Sequence, residues 1–135
     1  MAPENNYSPF SGPKSKALSY RVTTVEKPAD FLKFLAEDDR LCVVKVHAKW
    51  CVICKKFDAK WRNYVRVEGD KYDFEGNLSV RGRIRFAEIE FTVNEDLVRR
   101  LGAERMPHVL FYKGKGGLAG KLTQFQCGPS AFGLV

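Results

Sequence analysis

The stretch "HAKWCVICKKF" (residues 47–57) places Cys51 and Cys54 two residues apart, behind a tryptophan and ahead of a lysine pair. It follows "LCVVKVH" (41–47), a short β-branched run that is typical of a strand buried on both faces. It leads into a segment with the periodicity of a helix. A C-x-x-C pair at such a junction has three interpretations: half of a zinc site, two small structural residues, or a redox couple.

The length and composition of the chain limit the fold class. A chain of 135 residues suits one compact domain, and 44% hydrophobic with 29% charged residues is typical of globular proteins. Residues 1–17 contain three prolines and no apolar core of a signal peptide, so we expect a disordered leader before a domain at 18–135. No apolar run is long enough to span a bilayer.

The net charge of +7 favours acidic partners. Basic residues are dense in "VRGRIRF" (80–86), but they are not interleaved with the aromatic residues that stack on nucleic-acid bases. We therefore expect a solvated basic surface and no specific nucleic-acid partner.

Hydrophobic periods divide the rest of the chain into strands and helices. Strands are predicted at 18–25, 41–47, 84–91, 108–113 and 120–127, and helices from Pro28, over 52–67 and within "EDLVRRLG" (95–102). Residues 68–83 are polar and contain glycines, so a loop or irregular insert is expected there. The alternation predicts an α/β fold, with a central mixed sheet, helices on both faces and a closing hairpin.

The other cysteines and histidines do not complete a zinc site. A structural zinc ion needs four ligands, usually from a second pair with similar spacing, whereas Cys42 and Cys127 stand alone and the two histidines are far apart. We therefore expect no metal. A purely structural pair stays an alternative, and the redox couple is favoured by its βαβ context. This cysteine content also favours an intracellular reducing compartment.

A helix that begins at Cys51 would give the two sulfurs different roles. Its backbone N–H groups and positive dipole end would face the first sulfur, stabilise the thiolate and lower its pKa. We expect Cys51 to be exposed and to attack a substrate disulfide. Cys54, one turn later and deeper, would then attack the mixed disulfide and release the substrate.

Two segments resemble signatures of the thioredoxin family. "VVKVHAKWCVICKKF" (43–57) resembles its active-site segment, in which a buried strand runs into W-C-x-x-C-K, and "ERMPHVLFYKGKG" (104–116) resembles the segment where a cis-proline precedes the last strands. The resemblance spans about residues 18 to 128. It implies a thioredoxin-like fold and protein disulfide exchange, with electrons from a thioredoxin reductase or another donor and no cofactor.

The same resemblance assigns residues to a substrate groove. Pro107 would shape the groove opposite the cysteines, and Trp50 and Met106 would line it. His108 follows the proline and is a candidate for tuning the pKa of Cys51. Cys127, near the end of the last strand, resembles a cysteine of atypical cysteine-rich plastid thioredoxins and is a candidate regulatory thiol.

The residues around the cysteines depart from the family pattern. Val52 and Ile53 stand where typical thioredoxins have Gly-Pro, which predicts an altered redox potential. Lys45 occupies the position of the family's buried aspartate, and Glu88 that of a neighbouring lysine. We expect these two to pair beneath Cys54, with Glu88 taking over proton transfer, because an unpaired buried lysine is costly. The alternative is a strand register that turns Lys45 to solvent.

Two later segments of the chain also depart from the family pattern. The predicted insert within 66–83 has two interpretations: a partner-binding loop or an inert surface insertion. The inert insertion is favoured, because most surface insertions have no function of their own. The family would continue after "QCGPSAFGLV" (126–135) into a terminal helix, which we expect to be short or missing here. A dimer mate or partner would then cover the apolar face.

A rival function is a non-catalytic thioredoxin-fold binding module or redox sensor.

Overall fold

The computed structural model describes residues 18–127, so the predicted leader lies outside the described residues. The strands are β1 Ser19–Tyr20, β2 Thr23–Val25, β3 Leu41–His47, β4 Lys71–Tyr72, β5 Leu78–Val80, β6 Ile84–Glu90, β7 His108–Lys113 and β8 Lys121–Gln126. The helices are α1 Pro28–Ala36, α2 Val52–Glu68 and α3 Glu95–Arg100, with 3-10 turns at Phe91–Val93 and Gly117–Gly120.

Five strands form the main sheet in the order β2-β6-β3-β7-β8. Strands β2, β6 and β3 are parallel, whereas β7 runs antiparallel to β3 and β8 antiparallel to β7. The sheet is therefore mixed, as predicted. In its centre Lys45 lies between Glu88 of β6 and Val109 of β7.

Each face of the sheet is covered by helix. On one face α2 packs its Phe57, Trp61 and Val65 against Val43, Phe86 and Val109. On the other face α1 and α3 pack against alternate residues of the same strands, among them Val44 and Val46. Because side chains alternate along a strand, the residues of β3 serve both layers. The predicted α/β fold with helices on both faces is confirmed.

The predicted loop at 68–83 is wrong in part, because it contains a β-hairpin. Strands β4 and β5 pair antiparallel, and β1 adds to β4 to make a separate three-stranded sheet. The Asp73 carboxylate accepts hydrogen bonds from the backbone N–H groups of Glu75 and Asn77, and Gly76 has a φ of +89°. This side-chain-stabilised turn closes the hairpin. The hairpin was not predicted because strands of two and three residues are too short to show hydrophobic periodicity.

The predicted strand at 18–25 is also divided. Residues Ser19–Tyr20 join the small sheet, and Thr23–Val25 join the main sheet beside β6. Between them the Arg21 guanidinium lies 3.9 Å from the ring centroid of Tyr72, a cation–π contact that holds the connecting residues on β4. One alternating segment therefore serves two sheets.

Arg40 ties the small sheet and its connections to the main domain. Its guanidinium donates to the Asp70 carboxylate at 2.7 Å and to the Gly82 carbonyl at 2.9 Å. It also donates to Asp38 at 2.8 Å. Arg40 precedes β3, so these hydrogen bonds hold both ends of the insert against the start of the central strand. Bidentate, partly buried arginine pairs of this kind are stronger than exposed ones.

The substitution Asp38→Asn tests this network through pH. Hydrogen bonding to Arg40 lowers the pKa of Asp38 from 3.8 to about 2, against the opposing effect of burial. A depressed carboxyl pKa stabilises the fold above the unfolded value and loses that effect as pH falls through the folded value. We expect Asp38→Asn to cost about 1–2 kcal/mol at pH 7 and about half as much at pH 3.

Urea unfolding of the wild type and the variant at both pH values measures the difference. Asp39→Asn, a change at the exposed neighbour, is the matched control and should stay within about 0.5 kcal/mol. A loss of stability for Asp38→Asn that is the same at pH 7 and pH 3 would contradict the electrostatic origin of the effect.

An apolar groove of about 320 Å³ lies on the α2 face of the sheet. Tyr64 of α2, Phe111 of β7 and Phe125 of β8 are among its lining residues. The predictions of a short or missing terminal helix, and of a partner over this face, concern residues 128–135 and lie outside the described residues.

Candidate active site

The cysteine pair lies at the amino end of α2, where the central strand β3 leads into the helix. Cys51 is the N-cap residue, and its Sγ accepts a hydrogen bond from the backbone N–H of Cys54 at 3.1 Å. The N–H of Cys51 donates to the Ala48 carbonyl at 3.1 Å, which fixes the turn between strand and helix. The first sulfur therefore occupies the position where an N-terminal helix dipole stabilises negative charge.

Cys51 and Cys54 are joined as a disulfide, with their Cα atoms 5.2 Å apart. The prediction that Cys51 is exposed is wrong for this oxidised state, whereas Cys54 is the deeper of the two as predicted, by a small margin. Cys51 is 8% exposed and Cys54 5%, because Met106 and Phe91 pack against the pair. What distinguishes the two cysteines is the cap position of Cys51 and not a large difference in exposure.

The second predicted segment lies beside this pair. The Met106–Pro107 peptide bond is cis, as the family resemblance implied, and the Met106 side chain packs against the cysteine cluster. Pro107 is buried, and its carbonyl accepts a hydrogen bond from the N–H of Cys127 at 2.8 Å. Trp50 is 65% exposed next to the disulfide.

Lys45 is buried below the start of α2, and its side chain is only 3% exposed. The alternative that it faces solvent is therefore excluded. Its Nζ lies 3.9 Å from Glu88 Oε1, on the same face of the sheet as predicted, but it is closer to Asp58 Oδ1, at 3.2 Å. The sequence interpretation missed Asp58. Its position four residues after Cys54 was the available signal, because residues at i and i+4 share one face of a helix.

The two carboxylates have further partners. Asp58 Oδ2 accepts from Arg62 at 2.6 Å, and Glu88 Oε2 accepts from the Trp61 indole N–H at 3.2 Å. Burial alone would raise the pKa of Asp58, but hydrogen bonds and charges from Lys45 and Arg62 lower it. Asp58 is therefore held as a carboxylate between two cations.

A cavity of about 590 Å³ is lined by this charged group and by Cys54. Cys54, Lys45, Asp58 and Glu88 all line it. His47 lies at its edge with Nε2 3.6 Å from Glu88 Oε1, and burial and the charge of Lys45 lower the pKa of this histidine. Cys54 and these charged side chains therefore line the same cavity.

His108 and Cys127 do not line this cavity. His108 neighbours Val109 along β7 and so faces the opposite side of the sheet from Lys45; burial lowers its pKa. Within residues 18–127 neither of its ring nitrogens has a hydrogen-bond partner. Cys127 is fully buried, and burial raises the pKa of its thiol to about 11. The tuning role of His108 and the regulatory role of Cys127 stay predictions, and burial of Cys127 weakens the second.

The described residues contain no cluster of three or more metal-ligating side chains, and none of their helices is long and apolar enough to cross a membrane. A family model described as Thioredoxin matches residues 22–126. The chain belongs to the thioredoxin family. The matched range runs from just before β2 to the end of β8, and thiol–disulfide oxidoreduction is the activity associated with this family in general.

Solved thioredoxins share the architecture of this thioredoxin-family chain. The thioredoxin of Malassezia sympodialis has a TM-score of 0.65 and 15% identity, with 89% of this chain and 91% of that chain covered. The thioredoxin of Trypanosoma brucei brucei has a TM-score of 0.64 and 17% identity, with 90% of each chain covered. At such identities the likeness establishes the fold.

A curated relative extends the comparison to a longer protein. Protein disulfide-isomerase A6 of Mesocricetus auratus is 27% identical over 86 residues. The alignment covers 63% of this chain and 18% of that protein, so the chain corresponds to less than a fifth of the relative's length.

Proposed function

We propose that this chain is a protein thiol–disulfide oxidoreductase in which Cys51 is the nucleophile and Cys54 the resolving cysteine. The observation that carries the proposal is the hydrogen bond from the N–H of Cys54 to Cys51 Sγ at the N-cap of α2. In the reduced protein the same N–H and the helix dipole would stabilise a Cys51 thiolate, which is the reactive form of the thiol.

The exchange proceeds in two displacements. The Cys51 thiolate attacks one sulfur of a substrate disulfide, forms a mixed disulfide and expels the other substrate sulfur as a thiolate. Cys54, after losing its proton, attacks Cys51 Sγ, closes the Cys51–Cys54 disulfide and expels the second substrate sulfur. Two electrons pass to the substrate, and a donor must return two electrons to the cysteine pair for each turnover.

The surface around the disulfide supports binding of a protein substrate. Trp50 and Val52 are both exposed on the helix side of the pair, and Met106 packs against it from the other side. Exposed aromatic and aliphatic groups beside a reactive centre favour apolar contact with a protein chain. We propose that Pro107 shapes this groove and that Trp50 and Met106 line it.

Proton transfer at Cys54 is assigned to the charged cavity. Glu88 lines the cavity with Cys54 and lies 3.9 Å from the Lys45 ammonium, so its carboxylate is held beside the path of the proton. We propose that Glu88 accepts the proton that Cys54 loses, while Lys45 holds the carboxylate in position. This arrangement exchanges the positions of acid and base relative to the pattern that the family resemblance implied.

The proposed partners follow from this chemistry. They are protein disulfides as substrates and a thioredoxin reductase or another dithiol as electron donor, in a reducing compartment such as the cytoplasm or the plastid stroma. A reducing environment keeps the pair in the dithiol form that begins the cycle.

Reduction of insulin disulfides in the presence of dithiothreitol tests the proposal. The wild-type chain should accelerate precipitation of the insulin B chain, and Cys51→Ser should reduce the rate to that of dithiothreitol alone. Equal rates for the wild type, Cys51→Ser and dithiothreitol alone would contradict the proposed function and favour the non-catalytic binding module.

A further inference from the structure

We infer that the buried Lys45 ammonium is a positioning residue that raises the midpoint potential of the Cys51–Cys54 pair, so that the pair takes electrons from protein dithiols more readily than it would without this charge. The inference rests on the proposed function, since it concerns the direction of the same exchange. Its physical basis is the charge of one buried side chain that lines the same cavity as Cys54.

The cavity beside Cys54 has an excess of positive charge. Among the described residues that line it, four are lysine or arginine and two are carboxylates; they are Lys45, Lys49, Lys55, Arg62, Asp58 and Glu88. His47 also faces the cavity, and its lowered pKa favours the neutral ring. Lys45 is the buried member of this group, so water screens its charge least.

Both carboxylates near Lys45 are shared with a second hydrogen-bond donor. Asp58 divides its charge between Lys45 and Arg62, each through a different oxygen. Glu88 is farther from Lys45 Nζ, at 3.9 Å, and its other oxygen accepts from the Trp61 indole. Lys45 forms ion pairs with both acids, so it is not an unpaired buried charge.

The charge affects the two redox states unequally. Reducing the protein disulfide with two glutathione thiols consumes two electrons from glutathione, forms glutathione disulfide and leaves Cys51 and Cys54 as two sulfhydryls. When one of them releases its proton to solvent, the protein holds a thiolate that the disulfide lacks. A nearby cation stabilises the thiolate and leaves the neutral disulfide unaffected, so it favours the reduced state and raises the potential.

Two substitutions with opposite expected signs test the inference. Lys45→Met removes the charge at similar length, and it should favour the disulfide in glutathione buffer at pH 7 by about tenfold, which is about 30 mV more negative. Asp58→Asn removes one anion from the cavity, and it should favour the dithiol by about threefold. Lys45→Arg, which keeps the charge, should stay within about twofold of the wild type.

The redox state is measured by acid quenching, alkylation of free thiols and mass determination, and the thiolate by its ultraviolet absorbance against pH. The thiolate pKa should rise in Lys45→Met and fall in Asp58→Asn. Equal shifts of the two variants in one direction, or no shift in either, would overturn the inference. If Lys45→Met fails to fold by circular dichroism, the sign found for Asp58→Asn decides.

Failure of this inference can be distinguished from failure of the proposed function. An inactive wild type in the insulin assay would remove the enzymatic role, while the glutathione equilibrium would still report the sign of the Lys45 effect. A wild-type pair that never forms or loses its disulfide in glutathione buffer would overturn both.

Discussion

Replacing Cys54 by serine is expected to leave Cys51 attached to its substrate in a stable mixed disulfide. The second displacement needs the Cys54 sulfur, and in the structure that sulfur is bonded to Cys51 within the first turn of α2. Without it the covalent intermediate has no internal nucleophile to release it. Turnover in the insulin assay should fall by at least about a hundredfold, and the trapped adduct should accumulate when dithiothreitol, which would cleave it, is left out.

Non-reducing electrophoresis and mass determination measure this adduct after the reduced variant is mixed, without dithiothreitol, with insulin or with a disulfide-containing peptide. Cys51→Ser is the matched control, and it should form no adduct because the remaining Cys54 lacks the cap position at the helix terminus. If Cys51→Ser traps substrate and Cys54→Ser does not, the roles of the two cysteines are reversed.

The second large effect is on stability, at Trp61. Its side chain is 2% exposed, lies edge-on to Phe86 with ring centroids 5.3 Å apart, and donates to Glu88. Truncation to alanine leaves a cavity between α2 and the sheet and removes a hydrogen bond to a carboxylate. We expect Trp61→Ala to lower the free energy of unfolding by about 3–5 kcal/mol, measured by urea denaturation.

Two controls separate packing from the hydrogen bond. Trp61→Phe keeps most of the volume and loses the indole N–H, so it should cost about 1–3 kcal/mol. Tyr64→Ala removes an aromatic ring from the same helix at a position that borders solvent, and it should cost less than Trp61→Ala. A loss at Tyr64 equal to that at Trp61 would contradict the assignment of Trp61 to the core between α2 and the sheet.

The placement of the cysteines was predictable because local sequence determines it. A continuous β-branched run followed by helical spacing predicts a buried strand that enters a helix, and Cys51 then lies at the N-cap of that helix. The order of strands and helices fixed the fold class by the same reasoning. The Met106–Pro107 segment was assigned by resemblance and not by any local physical rule.

The pairing of Lys45 was predicted in part. The sheet register that places it beside Glu88 follows from two aligned strands, and the structure has that register. The nearer partner, Asp58, belongs to a helix that packs over the sheet. Which carboxylate comes closest to a buried ammonium depends on how the helix packs on the sheet, and hydrophobic periodicity does not specify that packing.

The sequence alone determined the elements whose hydrophobic periods extend over a turn or more, and through them the location of the cysteine pair. Only the tertiary structure decided the hairpin of β4 and β5, the division of residues 18–25 between two sheets, the small exposure of Cys51 and the partner of Lys45. The reason is physical: long periodic segments have a strong preference for one local structure, whereas short strands, burial of a sulfur and choice among ion partners depend on contacts between residues distant in the chain.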